Sequence, residues 1–116
     1  MKIYGISQSS GVERRLYVER GGEGIVLTIS DHEGNKERER ILVQPDDLLH
    51  TLTEPTPGGI TVPGVSPAGG RQMELQVEVR RNEVWLEAGP PSGQRTDVAV
   101  GMDDFQDALE GTISRG

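Results

Sequence analysis

Two pairs of adjacent aspartates are the first residues in this sequence whose type and spacing suggest chemistry. Asp46 and Asp47 follow the stretch ILVQP, and Asp103 and Asp104 follow the stretch VAVGM. Paired carboxylates can serve as general acids or as ligands of Mg²⁺. Both pairs also fall where a helix is predicted to begin, and the free amides and dipole of a helix favour a carboxylate in its first turn. We therefore interpret these aspartates as residues that start helices.

Other arrangements that carry chemistry are weaker still. Asp31, His32 and Glu33 combine metal-ligating types, but adjacent residues in a turn rarely converge on one ion. The glycine-rich stretch GGEG lacks the lysine and the spacing of a phosphate-binding loop. We find no serine, histidine and carboxylate set that suggests a nucleophile. The sequence therefore predicts a protein that is not an enzyme, with no cofactor and no metal.

Composition narrows the class of protein further. The 116 residues suit one compact domain, and the absence of cysteine excludes disulfides and thiolate metal sites. The first residues, MKIYGISQSS, lack the apolar core of a signal peptide, and no apolar run reaches transmembrane length. We expect a cytoplasmic protein with no membrane partner.

A formal charge of −7 argues at first against a nucleic-acid partner, because phosphate binding usually needs an excess of basic residues. The distribution of charge weakens this objection. Seven acids lie in the two predicted helical segments: Asp46, Asp47, Glu54, Asp103, Asp104, Asp107 and Glu110. They account for the whole negative excess, so the net charge says little about the predicted strands.

The chain repeats itself. Residues 1–30 align without gaps on residues 60–89, and ILVQPDDLLHTL is then matched by VAVGMDDFQDAL. Matched periodicity along the whole length indicates an internal duplication. We predict a single domain over 1–116, with repeat one at 1–53, a linker at 54–59 and repeat two at 60–113.

Each repeat reads as four strands followed by one short helix. Alternating apolar and polar residues predict the strands, and turn residues separate them. The strands are predicted at MKIYGIS, 14–20, 25–30 and 36–43, and then at GITVPGV, 73–79, 84–89 and 95–100. The predicted fold class is α+β: two β-β-β-β-α repeats that form one or more curved antiparallel sheets, with both helices packed on one face.

This doubled pattern resembles the single-stranded nucleic-acid-binding folds of the PUR and whirly families. The phrase of strand, turn, acid pair and helix is also similar to the end of a repeat in the positive-cofactor-4-like family. The resemblance rests on topology along nearly the whole chain. It implies a curved sheet that binds single-stranded DNA or RNA, helices behind that sheet, and a homodimer.

The alternation also predicts which side chains face away from the helices. Leu16, Val18, Ile25, Leu27, Ile29, Ile41 and Val43 are expected to face inward. The exposed face would then carry the candidate nucleic-acid-binding residues, which are Arg15, Tyr17, Lys36, Arg38, Arg40, Arg80, Trp85 and Arg95. Aromatic rings can stack on bases while cations neutralise phosphates. The opposing interpretation is a solvated strand face with a buried tryptophan.

Two functions follow from these observations. The first is non-enzymatic binding of single-stranded DNA or RNA through the sheet, as in a transcription-regulator-like protein. The alternative is a duplicated scaffold that does not bind nucleic acid and acts as a homodimeric protein–protein interaction module.

Overall fold

A computed structural model describes residues 1–22, 24–31, 37–54 and 58–114 of the chain. Lys36, His32 and Glu33 lie outside these described residues. The elements, in chain order, are β1 (Lys2–Ile6), β2 (Glu13–Gly21), β3 (Gly24–Asp31), β4 (Glu37–Val43), α1 (Pro45–Thr53), β5 (Ile60–Val65), β6 (Gln72–Arg80), β7 (Glu83–Gly89), β8 (Thr96–Gly101) and α2 (Met102–Ser114).

The eight strands form one closed antiparallel barrel in which every strand pairs with the next and β8 pairs with β1. The predicted fold class, with two β-β-β-β-α repeats building curved sheets and helices on one face, is therefore wrong. The error has a physical reason. Side-chain alternation fixes which face of a strand is buried, but an open curved sheet and a closed barrel bury the same face.

Two narrow seams complete the closure. At the first seam, β1 and β8 share a single residue pair, Ile6 with Ala99. At the second seam, β4 and β5 share two residue pairs, Leu42 with Val65 and Val43 with Gly64. The other neighbouring strands pair over five residues or more. Each seam is thus a short line of contact between two broad sheets of four strands.

The interior of the barrel is filled by aliphatic side chains from all eight strands. The seven residues predicted to face inward are all buried. Val62, Met73, Leu75, Val77, Val84, Leu86, Val98 and Val100 complete this core from the second half of the chain. The prediction of the inward face is therefore confirmed for these strands. The strands surround the core on all sides, whereas the predicted sheet would have covered it from one side.

Both helices start at the same end of the barrel. Because neighbouring strands are antiparallel, β4 and β8 run in the same direction, and α1 and α2 follow directly from their ends. Leu48 of α1 and Phe105 of α2 are fully buried and join the barrel core. The helices therefore cover one end of the barrel and not one face of a sheet.

The paired aspartates lie where the sequence predicted them. Asp46 and Asp47 occupy the first turn of α1 behind a proline, and Asp103 and Asp104 occupy the first turn of α2. All four aspartates are exposed. In the described part of the chain, neither helix has the length and the apolar character needed to cross a bilayer.

Candidate nucleic-acid interface

The predicted site residues lie in two separate groups on the outer wall. Arg15 and Tyr17 lie on β2, and Arg38 and Arg40 lie on β4. The second group comprises Arg80 on β6, Trp85 on β7 and Arg95 just before β8. Strands β2 and β6 are four strands apart in either direction around the barrel. The structure therefore does not bring the two groups into one surface.

The first group is extended by two residues of β1. Lys2 lies opposite Tyr17, and Tyr4 lies opposite Arg15. The Lys2 Nζ is 5.4 Å from the centre of the Tyr4 ring, and the Arg15 guanidinium carbon is 5.7 Å from it. These distances are within the range of cation–π contacts. Tyr4 is 59% exposed, so its ring stays accessible to a ligand.

A line of paired residues carries this surface across to β4. Tyr17 lies opposite Thr28 on β3, and Thr28 lies opposite Arg40. We define the tyrosine patch as Lys2, Tyr4, Arg15, Tyr17 and Arg40. It places two phenol rings and three cations on one continuous stretch of the wall.

A small cleft of about 220 Å³ opens beside Tyr17 and Arg40. The Arg40 Nε donates a hydrogen bond to the Thr28 Oγ1 at 3.4 Å, and the same guanidinium lies 3.4 Å from the Glu37 carboxylate. The Ser30 Oγ is buried in the cleft wall and has no hydrogen-bond partner among the described residues. The cleft therefore offers a partly exposed cation to a polar ligand, with the buried Ser30 hydroxyl in its wall.

Arg38 is held differently. Its Nε donates to both carboxylate oxygens of Asp31, at 2.9 and 3.0 Å. The hydrogen bond and the charge of Asp31 raise the pKa of the Arg38 guanidinium above its ordinary value. Both side chains remain partly exposed, so Arg38 is a paired cation at the margin of the tyrosine patch.

The second group contains arginines that are held closely by carboxylates. The Arg80 guanidinium carbon lies 3.8 Å from the centre of the Trp85 ring, and the same guanidinium pairs with Glu78. Arg95 pairs with Glu74 at 2.7 Å. Trp85 lies outward but is half-buried. The sequence left two interpretations of this residue open, an exposed ring that stacks on bases and a buried tryptophan, and the observed exposure lies between them. Each cation here is held by a carboxylate more closely than Arg40 is held by Glu37 at 3.4 Å, so this group is less suited to bind phosphate than the tyrosine patch.

A hydrogen-bonded centre that sequence reasoning missed lies beside the first seam. The Asp97 carboxylate accepts hydrogen bonds from the hydroxyls of Ser7 and Ser9, at 2.8 and 2.6 Å. It also accepts from the backbone amides of Gln8 and Ser9, at 2.8 and 3.1 Å. Arg14 donates to the Asp97 carbonyl oxygen at 2.7 Å and lies 3.4 Å from its carboxylate. This centre fixes the turn after β1 against the start of β8.

Burial and hydrogen bonding act in opposite directions on Asp97. Burial alone raises the pKa of its carboxyl, because a charge is less stable away from water. The hydrogen bonds from Ser9, Ser7 and the two amides outweigh burial, so the pKa of Asp97 lies below its ordinary value. The group is therefore a stable anion with a structural role.

Lys2 and Tyr4 were not among the candidate residues predicted from the sequence, although the sequence held a signal for them. MKIYGIS alternates, so that an inward Ile3 places Lys2 and Tyr4 outward, and the structure has this arrangement. The Asp97 centre offered no such signal, because Ser7 and Asp97 are separated by 90 positions.

Comparisons of the chain with protein-family models, with curated proteins and with solved structures found no match. The resemblance to the PUR, whirly and positive-cofactor-4-like families stays an expectation from the sequence. Any assignment of function therefore depends on the geometry of the outer surface of the barrel.

Proposed function

We propose that this protein binds single-stranded DNA or RNA, without catalysing a reaction, through the tyrosine patch. One observation carries the proposal: Tyr4 and Tyr17 lie on paired strands and are flanked by Lys2, Arg15 and Arg40. A row of aromatic faces bordered by cations is the arrangement that binds bases by stacking and phosphates by charge. Cytoplasmic action is part of this proposal and stays a prediction.

Local charge decides which part of the outer surface of the barrel we propose as the interface. Stacking of a base on an aromatic ring contributes about 1–3 kcal/mol and tolerates different sequences, because every base has a flat face. Arg80 and Arg95 are held closely by Glu78 and Glu74, whereas Arg40 is held more loosely by Glu37, so we leave Arg80, Trp85 and Arg95 out of the proposed interface. Glu19 and Glu37 border the tyrosine patch and oppose phosphate. We therefore expect modest affinity that falls steeply with salt.

The salt dependence of binding tests the proposal. In fluorescence polarisation with labelled single-stranded oligonucleotides, each phosphate contact contributes a slope of about −0.7 to log K against log salt. Replacing Lys2 and Arg40 with glutamine should weaken binding and make the slope shallower by about 1.4, because two phosphate contacts are lost. Absence of binding by the unmodified protein at low salt, with several sequences, would reject the proposal.

A matched control separates local contacts from net charge. The double variant Arg80→Gln, Arg81→Gln makes the same change in net charge on β6 and the turn after it, on the opposite wall. We expect this variant to keep the slope of the unmodified protein. Equal loss of slope in both variants would place the contacts outside the tyrosine patch.

A homodimeric interaction module is the second candidate, and exposed apolar residues favour it. Tyr4, Ile6 and Val12 are 59%, 48% and 46% exposed. Tyr4 and Ile6 also line a cleft of about 480 Å³ between β1 and β8. Exposed apolar side chains close together on a small protein are typical of an interaction surface.

Light scattering over a concentration series tests this second candidate. If the apolar residues form the interface, the unmodified protein should dimerise, and the double variant Ile6→Ser, Val12→Ser should be monomeric at the same concentrations. A monomeric unmodified protein throughout the series would remove this candidate. Binding of oligonucleotides by the same double variant would show that the two functions use different residues.

A further inference from the structure

A second site of different chemistry lies on other strands than Tyr17 and Arg40 of the tyrosine patch. A cleft of about 340 Å³ lies along β6, β7 and β8 beside Trp85. Its lining carries three carboxylates, those of Glu78, Glu87 and Asp97, and, in the part of the chain that the structure describes, no lysine or arginine. Gln8, Gln76 and Ser9 add uncharged polar groups. A ligand for this cleft should therefore be a cation that also contacts an aromatic ring.

An internal arginine indicates which cation fits. The Arg80 guanidinium stacks 3.8 Å from the Trp85 ring centre while it pairs with Glu78. A guanidinium is planar, stacks on aromatic rings and presents several donors to a carboxylate. Trp85 and its neighbouring acids thus already bind one guanidinium in the manner that a ligand would use.

Glu87 is the carboxylate in this cleft that is best placed to accept hydrogen bonds from a ligand. Its side chain is 50% exposed, and its ion-pair partner, Arg95, is 3.8 Å away and is held more closely by Glu74. Asp97, by contrast, is occupied by the turn after β1. The charge of Glu87 is therefore available to a ligand, whereas the charge of Asp97 is balanced by Arg14.

We propose that this cleft binds the guanidinium group of an arginine residue in a partner polypeptide. The cleft's own charge selects a residue within a chain over free arginine, because the loosely paired Glu87 carboxylate repels a free α-carboxylate and does not repel a peptide group. This proposal is independent of nucleic-acid binding, because the cleft shares no residue with the tyrosine patch.

Trp85 is the only tryptophan, so its fluorescence reports on the cleft alone. At low salt, N-acetyl-arginine methylamide should cause a saturable change, and a capped peptide Gly-Gly-Arg-Gly-Gly should bind at least as tightly. Free arginine and the lysine amide should bind more weakly, and the uncharged glutamine amide should not bind. The proposal would be overturned if neither arginine probe caused a saturable change in the fluorescence or in the NMR shift of the Trp85 indole. It would also be overturned if the arginine amide bound and the peptide did not.

Three variants locate the binding. Glu87→Gln should weaken the arginine amide about fivefold, as expected for loss of one partly exposed ion pair. Arg80→Gln should strengthen it, because Glu78 then loses its arginine partner, and a merely damaged fold would not produce a gain. Glu83→Gln is the matched control on the same strand, since Glu83 lines the cleft at the first seam. Equal effects of Glu87→Gln and Glu83→Gln would overturn the assignment.

Discussion

Replacing Asp97 with alanine is expected to lower the free energy of unfolding by about 3 kcal/mol, within the range for breaking a largely buried ion pair. The carboxylate accepts hydrogen bonds from two hydroxyls and two backbone amides and also lies against Arg14. The Asp97 and Arg14 side chains are only 16% and 11% exposed. Truncation therefore leaves the buried Ser7 hydroxyl and the largely buried Arg14 guanidinium without this acceptor.

Urea unfolding measures this change. The control is Asp107→Ala, which removes an exposed aspartate from α2 and should change stability by no more than about 0.5 kcal/mol. Similar losses in both variants would show that the Asp97 centre contributes no more than an ordinary surface acid.

The contribution of Asp97 should also depend on pH. The pKa of its carboxyl is lower in the folded than in the unfolded protein, so the folded state favours the anion. The stabilisation is therefore complete above the ordinary value of 3.8 and is lost as the pH falls through the lower, folded pKa. The stability difference between the unmodified protein and Asp97→Ala should stay constant from about pH 7 to 5 and shrink below about pH 4. A difference that grows in acid would contradict this assignment.

Adding a methyl group to either seam glycine is expected to destabilise the barrel by about 1–3 kcal/mol, the usual cost of overpacking. A Cβ on Gly5 would overlap the carbonyl oxygen of Ala99 and approach the Val98 and Val100 methyl groups to 2.8 Å. A Cβ on Gly64 would lie 2.7 Å from the Leu42 carbonyl oxygen. Backbone oxygens cannot rotate away, so the strands themselves must separate.

The variants Gly5→Ala and Gly64→Ala test this expectation in urea unfolding, with hydrogen exchange of the seam amides as a second measurement. Gly69→Ala is the control, because the nearest atom to its Cβ is 4.0 Å away. We expect faster exchange at the seam that carries the substitution and no change in the control. Unchanged stability in both seam variants would show that the strands close without needing glycine.

Sequence reasoning predicted the local features of this protein well. Alternation around Leu16 and Val18 identified the buried face, and the Asp46 and Asp103 pairs identified where the helices begin. Closure of the barrel was not predictable in the same way. It depends on Ile6 reaching Ala99 and on glycines that permit this approach, and no local pattern records such a long-range contact.

The candidate site likewise has a part that the sequence predicted and a part that it did not. Tyr17 and Arg40 were assigned to the outward surface from strand period alone, and the structure places them there. Trp85 was also assigned outward, but its acidic surroundings come from Asp97 on the neighbouring strand β8 as well as from β6 and β7. A linear pattern gives the direction of a side chain, whereas the charge around that side chain depends on which strands become neighbours.

The narrow seams also bear on aggregation. Closing a barrel brings the edge strands of a sheet together, which hinders another chain from extending those edges. Here the closure rests on one residue pair at the first seam and two at the second. Opening either seam would turn the wall into an open sheet with two long edges and an exposed aliphatic face. We therefore expect the glycines at these lines of contact to limit self-association through the strand edges as well as to permit closure of the barrel.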